Sequence, residues 1–263
     1  MNKNYQGDEF LRKRHERQRK IRKRRAKILL IFFLILLLVV GAVLSVTVLF
    51  PIKNIASKGS KVYTEAQIVE NCDISIGDNL IALSKSKSLN KLKSNLPFVE
   101  NIEFDRTFPD TLTLKITDAK EYTCYQVDKK YYSVSKSGWV LKSYSKKPKD
   151  IMLIISDKVK CKVGTEIEFS DDTVKETGFA VADILNTYKL SVEYVDITDK
   201  MSIKAKVESR FIVNFGSSKD LEPKIKHLNA MIKEIDKTAS GKIDLSMWSR
   251  QNTQGAFTET KIK

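Results

Sequence analysis

The chain has 263 residues, with 47 Lys or Arg against 32 Asp or Glu and a formal net charge of +15. It contains only 2 His and 3 Cys, which argues against a His-centred catalytic site and against a disulfide framework that organises the fold. Much of the positive charge is local, because residues 1–27 hold twelve basic and three acidic residues. A basic arm can bind nucleic acid, but one that directly precedes an apolar segment is typical of a topology signal, so no specific nucleic-acid binding is expected.

Residues 28–50 carry no charge and are predicted to form a membrane span. At about 1.5 Å per residue, this helix would be roughly 34 Å long, enough to cross a hydrocarbon core of about 30 Å. The positive-inside rule leaves residues 1–27 as a cytoplasmic tail and puts the chain after Phe50 outside the cytoplasm. A cleaved signal peptide is the alternative, but its apolar region is usually about 7 to 15 residues and ends in small residues.

The first part of the exterior has the pattern of a small mixed domain. Thr64 and Gln67 are spaced as a capping box, and Pro97 ends a second helix with Leu89, Leu92 and Leu96 at helical spacing. The predicted elements are an opening strand near Ile55–Gly59, helices over Glu65–Cys72 and before Pro97, strand Val99–Phe104, a turn over Arg106–Asp110 and strand Thr111–Thr117. In the last strand, Leu112, Leu114 and Ile116 alternate with polar residues and are expected to face inward. The predicted order is β-α-α-β-β.

The chain after Asp118 is predicted to be rich in strands, with two helices. A helix capped by Ser170 is expected over Asp171–Thr187, and an amphipathic helix is expected to open at Asp220. The other predicted segments are a hairpin of Tyr122–Val127 with Tyr131–Val134, a strand from Trp139, a solvated loop over Lys142–Asp150, and strands Ile151–Ile155, Val192–Ile197, Ser202–Val207, Phe211–Phe215 and Lys242–Ser246. Cys124 is expected to be a buried strand residue.

No catalytic constellation is apparent. His15 lies in the predicted tail, and His227 is expected on the outer part of the second helix. Pairs of carboxylates occur at Asp171 with Asp172 and at Glu166 with Glu168. They could serve a hydrolase, but a position at a helix start and on the solvent-facing side of a strand explains them better. We expect no enzyme activity, no metal, no cofactor and no small-molecule substrate.

Three phrases of the exterior resemble the POTRA domain of the FtsQ/DivIB family of bacterial cell-division proteins. They are Ile76-Gly77-Asp78-Asn79-Leu80, Leu96-Pro97-Phe98-Val99, and the run from Arg106 to Leu112. Two details depart from the family pattern, namely a weaker opening strand at Ile55–Gly59 and Asp118 where Glu is common. Residues from Phe211 to Leu245, which include the Ile-Asp-Leu phrase, resemble the family's second, β domain.

The resemblance implies an α+β fold in which a single transmembrane helix (28–50) precedes a POTRA domain (51–120), a β domain (121–258) and a disordered tail (259–263). It also implies a non-enzymatic scaffold at the division septum, anchored as a single-pass type II protein, that supports septum formation and septal peptidoglycan synthesis. The implied partners are FtsB/DivIC-like and FtsL-like bitopic division proteins, bound at a sheet edge. A POTRA-bearing secretion or membrane-assembly protein is the alternative.

Carried onto this sequence, the partner-binding residues implied by the resemblance are Met247, Trp248, Ala256, Phe257 and Thr258. Trp248 and Phe257 would be the anchors, since buried aromatic residues dominate interface energies. The alternative, equally open at this point, is that both rings pack on the domain's own core. Arg106 and Pro109 are interpreted as turn residues rather than contacts.

Overall fold

The computed structural model describes residues 25, 27–41, 50–157, 159–249 and 255–260. Residues 27–41 form helix α1, in which apolar side chains are exposed, for example 65% of Phe33. The described part of this helix lies in the first part of the predicted span. Residues 42–49 and most of the predicted cytoplasmic tail lie outside the described residues. Within the described ranges, no helix is long and apolar enough to cross a membrane.

Residues 54–118 have the predicted order β-α-α-β-β. The elements are β1 (Asn54–Lys58), α2 (Glu65–Asn71), α3 (Lys85–Asn95), β2 (Val99–Thr107) and β3 (Thr111–Asp118), and the strand order in the sheet is β1-β3-β2. The predicted capping box is confirmed, because the Thr64 side chain accepts the Gln67 N–H and the Gln67 side chain accepts the Thr64 N–H. The predicted alternation of β3 is also confirmed, since Leu112, Leu114 and Ile116 are buried.

Residues 123–259 build a nine-stranded sheet, a short two-stranded sheet and two helices. The elements are β4 (Thr123–Val127), β5 (Lys130–Val134), β6 (Val140–Tyr144), β7 (Met152–Ile155), β8 (Val159–Lys160), β9 (Glu168–Phe169), α4 (Asp172–Thr187), β10 (Val192–Asp196), β11 (Ile203–Val207), β12 (Phe211–Gly216), α5 (Leu221–Glu234), β13 (Gly241–Asp244) and β14 (Ala256–Glu259). The strand order of the large sheet is β14-β13-β12-β11-β10-β7-β4-β5-β6, and β8 pairs with β9.

The connections explain why the large sheet is mixed. β4 and β5 form an antiparallel hairpin, whereas β7 with β10 and β12 with β13 are parallel pairs. Parallel neighbours need a long crossover connection, and α4 and α5 provide it. Both helices pack on the sheet, because the buried residues Leu185 and Leu228 belong to the same apolar cluster as Ile154 and Val213. Each such side chain contributes roughly 1.5–3 kcal/mol by leaving water.

The chain divides into two compact units. One contains the residues up to Ile55 with Ser75–Leu83 and Arg106–Leu112, and the other contains Ala56–Ile74, Ser84–Asp105 and the chain from Thr113 onward. The predicted domain boundary near residue 120 therefore stays a prediction.

Some predicted boundaries in the first half of the chain are wrong. Arg106 and Thr107 were expected in a turn but belong to β2. The solvated loop expected from Lys142 begins later, because residues up to Tyr144 belong to β6 and Lys142 pairs with Ser133 of β5. Pairing with a neighbouring strand thus outweighs the polar composition of this edge segment.

Two further boundaries differ from prediction near the second helix and the end of the chain. Asp171, not Ser170, is the N-cap of α4, and its side chain accepts the Thr173 N–H. Glu259 was expected in a disordered tail but lies in β14, where it pairs with Gly241. Residues 261–263 lie outside the described residues.

Candidate protein-interaction edge

β14 is a terminal strand of the nine-stranded sheet. It runs antiparallel to β13, with Phe257 opposite Ile243 and Ala256 opposite Asp244. Among the described residues, no strand pairs with its other side. The sequence-predicted residues Ala256, Phe257 and Thr258 therefore lie together on a sheet edge.

The register shows which backbone groups face this open edge. In an antiparallel ladder, residues that bond to the partner strand alternate with residues that do not. The Thr260 N–H donates to the Ser240 carbonyl at 2.9 Å, so Thr260 bonds toward the β13 side. Thr258 lies two residues earlier in the same ladder, and its N–H and C=O therefore also face β13. The N–H and C=O of Phe257 and Glu259 therefore point away from the sheet. Such a row of groups can pair with an extended peptide.

Gly241 allows β14 to lie this close to β13. A Cβ atom at this position would lie 2.2 Å from the Thr258 carbonyl oxygen and 2.8 Å from a ring carbon of Phe257. The sequence analysis missed this role of Gly241, as it missed the strand position of Glu259. A glycine at the first position of a strand is itself a signal of close backbone approach.

The two aromatic residues predicted as anchors pack on the protein's own core. The Phe257 ring is half-buried and makes an edge contact with the fully buried Phe211, with ring centroids 6.0 Å apart. Trp248 is only 9% exposed and lies against His227, with ring centroids 6.0 Å apart. Both rings therefore follow the alternative given in the sequence analysis, in which they pack on the domain's own core. His227 is thus half-buried against an indole rather than on the outer part of its helix.

The other predicted contact residues are accessible. Met247 is 81% exposed, and Ala256 and Thr258 are also exposed. What this edge offers a partner is therefore mainly the β14 backbone, flanked by small or flexible side chains.

The opposite edge of the large sheet is partly covered. β6 is the terminal strand there, and the Val140 N–H donates to the Thr165 carbonyl at 2.9 Å. The Gly164 N–H in turn donates to the Val140 carbonyl at 3.0 Å. The segment around Gly164 thus occupies the beginning of this edge, which makes β14 the more open of the two.

One carboxylate of each predicted pair has structural partners. Asp171 caps α4 and accepts hydrogen bonds from Lys200 and Thr173, and the bond from Lys200 is the main cause that holds the pKa of Asp171 well below its usual range. Glu166 accepts a hydrogen bond from Lys175 at 2.8 Å. These contacts account for both carboxylates without a catalytic role.

None of the three cysteines forms a disulfide, and two of them have a raised pKa. Cys124 is fully buried in β4, as predicted, and burial raises its pKa to about 12. Burial also raises the pKa of Cys161 to about 12. Both thiols therefore stay protonated near neutral pH. In the part of the chain that the structure describes, no group of three or more His, Cys, Asp or Glu side chains is placed to hold a metal ion.

Comparison with known proteins identifies a domain of this chain and proteins that are similar to it. Residues 50–118 match the family model described as "POTRA domain, FtsQ-type". A cell division protein FtsQ from Streptomyces coelicolor is 24% identical over 185 residues, which cover 69% of this chain and 70% of the relative. A cell division protein DivIB from Clostridium acetobutylicum is 26% identical over 206 residues, which cover 75% of this chain and 80% of the relative. The chain thus contains an FtsQ-type POTRA domain and is similar to FtsQ and DivIB cell-division proteins.

The major extracytoplasmic domain of the trans isomer of DivIB from Geobacillus stearothermophilus aligns with 47% of this chain and 99% of its own length, at a TM-score of 0.31 and 10% identity. The likeness to FtsQ and DivIB proteins rests on the sequence matches. The resemblance predicted from the three spaced phrases is confirmed, and the names of the relatives indicate a role in cell division.

Proposed function

We propose that this protein is a non-enzymatic, membrane-anchored scaffold of the division machinery. In this proposal, the apolar segment 28–50 anchors the chain with its basic tail in the cytoplasm, and the exterior gathers FtsB/DivIC-like and FtsL-like bitopic proteins at the septum. The scaffold then supports septum formation and septal peptidoglycan synthesis by assembly rather than by chemistry.

The observation that carries the proposal is the open edge of β14. The outward N–H and C=O groups of Phe257 and Glu259 can extend the sheet by one strand from a partner. Because the Phe257 ring packs on Phe211, it helps to hold the edge strand in place rather than to contact the partner. Specificity then comes from exposed side chains around the edge, including Met247.

The sharpest test changes one outward amide and leaves the core alone. Glu259→Pro removes the outward N–H of an exposed residue and puts a proline ring where a partner strand would lie. Glu259→Ala is the matched control, because it removes the same side chain and keeps the N–H. Binding of the extracytoplasmic segment of a DivIC-like protein from the same bacterium to the purified full-length chain would be measured by biolayer interferometry. Glu259→Pro is expected to weaken binding by about tenfold or more, since a hydrogen bond is lost and the ring clashes.

Thermal unfolding distinguishes a loss of binding at the β14 edge from a loss of folding. The proline ring is expected to leave the melting temperature close to that of the alanine control, because the removed N–H has no partner within the sheet. Equal affinity of Glu259→Pro and Glu259→Ala, with both variants folded, would show that partners do not pair with β14.

A further inference from the structure

The first unit presents a group of large apolar side chains, which we call the apolar tip. Three of them are exposed and the fourth is half-buried, in this order: Ile76, Ile81, Phe108 and Phe50. Ile76 is 73% exposed, Phe108 57% and Ile81 42%. The ring centroids of Phe50 and Phe108 lie 5.3 Å apart in an edge contact. Single exposed apolar residues are ordinary, but a group of large ones at one place usually marks an interaction site.

Backbone hydrogen bonds hold the Ile76–Leu80 phrase against the start of the exterior. The Leu80 N–H donates to the Phe50 carbonyl at 2.9 Å, and the Gly77 N–H donates to the Ile52 carbonyl at 2.8 Å. Leu80 is fully buried, whereas Ile76 points to solvent. Within this phrase, the Leu80 side chain packs in the core, whereas the Ile76 side chain stays exposed.

The segment carrying Phe108 is bound to the same residues. The Arg106 side chain donates from Nε to the Leu80 carbonyl at 2.8 Å, and the Lys53 N–H donates to the Asp110 carbonyl at 2.8 Å. The three segments of the apolar tip are therefore tied together by main-chain hydrogen bonds and by the Arg106 side chain. Such a surface keeps its shape without a ligand.

The charges around the apolar tip balance. In residues 50–55, 75–83 and 106–112, the charged residues are Lys53 and Arg106 with Asp78 and Asp110. Lys53 pairs with Asp110 at 3.2 Å, and the Asp78 carboxylate accepts the Ser75 N–H at 2.8 Å. This surface therefore offers no net charge to attract an ionic partner, and it suits an apolar one.

We propose that the apolar tip rests in the outer lipid interface beside the membrane anchor. This inference rests on the proposed function, because it requires the anchor at residues 28–50. Phe50 is both the last residue of that segment and a member of the tip, so the covalent connection keeps the other tip residues near the membrane surface. Aromatic and aliphatic side chains gain free energy by entering this interfacial region.

The test places a reporter at the tip in the complete chain. Phe108→Trp and Ile76→Trp are each reconstituted into phosphatidylcholine vesicles that contain a lipid spin-labelled near the headgroup, and the fluorescence of the parent, with Trp139 and Trp248, is subtracted. Met201→Trp is the matched control, because Met201 is equally exposed at 74% but belongs to the second unit. The fractional quenching at both tip positions is expected to exceed that of the control by about twofold or more. Adding phosphatidylglycerol to the vesicles is expected to change this quenching little, since the tip is neutral.

Other results would overturn the inference. Tip reporters that are quenched no more than Met201→Trp, in a chain that resists alkaline carbonate extraction, would show that the anchor is present but the tip faces water or a protein partner. Extraction of the parent chain by carbonate would overturn the anchor and this inference together. Quenching that occurs only with phosphatidylglycerol would show charge attraction instead of apolar contact.

Discussion

Two tyrosines of the large sheet differ in what their hydroxyl groups contact. Tyr125 is fully buried, and its hydroxyl has no hydrogen-bond partner among the described residues. The Tyr144 hydroxyl donates to Glu121 at 2.5 Å. A buried polar group without a partner costs free energy, whereas one that is bonded to a carboxylate stabilises the fold. The two hydroxyl groups therefore contribute to the free energy of unfolding with opposite sign.

We expect Tyr125→Phe to leave the free energy of unfolding unchanged or to raise it by up to about 1 kcal/mol, because it removes only the unpaired hydroxyl. Tyr144→Phe removes the same group from a bonded position and is expected to lower that free energy by about 1 kcal/mol. Urea unfolding followed by circular dichroism measures both. Equal destabilisation by the two variants would contradict this reading of the Tyr125 site.

At the scale of elements, the β4–β5 hairpin is tight but carries backbone strain. Its two-residue loop is Asp128 and Lys129, and both have left-handed φ values, 48° and 63°. This turn matches the twist of the paired strands, but it favours Asn, Asp or Gly over a long side chain. Asp128 suits the position, and Lys129 does not.

We expect Lys129→Gly to raise the free energy of unfolding by about 1 kcal/mol, because glycine adopts a positive φ without a steric penalty. Lys130→Gly is the control, since Lys130 begins β5, and glycine in a strand is expected to cost roughly 0.5–1 kcal/mol. In thermal melts, the melting temperature is expected to rise for Lys129→Gly and to fall for Lys130→Gly. A loss of stability at Lys129→Gly would mean that the lysine side chain matters more than the backbone.

At the scale of the whole molecule, α3 is joined to the strand-rich part of the second unit. The Trp139 indole donates from Nε1 to the Lys93 carbonyl at 3.0 Å, and the Lys93 ammonium lies 5.3 Å from the centroid of that ring. Gly164 approaches the next carbonyl, because a Cβ there would lie 2.4 Å from the Ser94 oxygen. The end of one helix thus meets both Trp139 and the segment that covers the beginning of β6.

We expect Gly164→Ala to loosen this junction. Its control is Gly77→Ala, because both glycines have positive φ, 81° and 97°, but a Cβ at Gly77 has nothing within 4 Å. Both substitutions carry the strain of an alanine at positive φ, about 1 kcal/mol, and only Gly164→Ala adds the clash. Hydrogen exchange of the α3 amides is expected to be faster in Gly164→Ala than in Gly77→Ala. Equal exchange in the two variants would show that the close approach can be relieved locally.

Local patterns in the sequence predicted much of this fold. The Thr64 and Gln67 capping box, the alternation of β3 and the amphipathic spacing of α5 are confirmed, because each depends on residues only a few positions apart. The boundaries that failed, at Lys142 and Glu259, depend on pairing with another strand. The three spaced phrases also predicted the POTRA domain, which the family-model match over residues 50–118 confirms.

Only the tertiary structure decided the form of the candidate site. The sequence indicated the segments around Met247 and Phe257, but it left open whether the aromatic rings face a partner or the core. The register of β14 on Gly241–Asp244 turns the Phe257 ring toward Phe211 and the backbone of Phe257 and Glu259 outward. The physical reason is that side-chain and backbone directions in a strand alternate with its pairing, and this pairing joins residues that are distant in the chain.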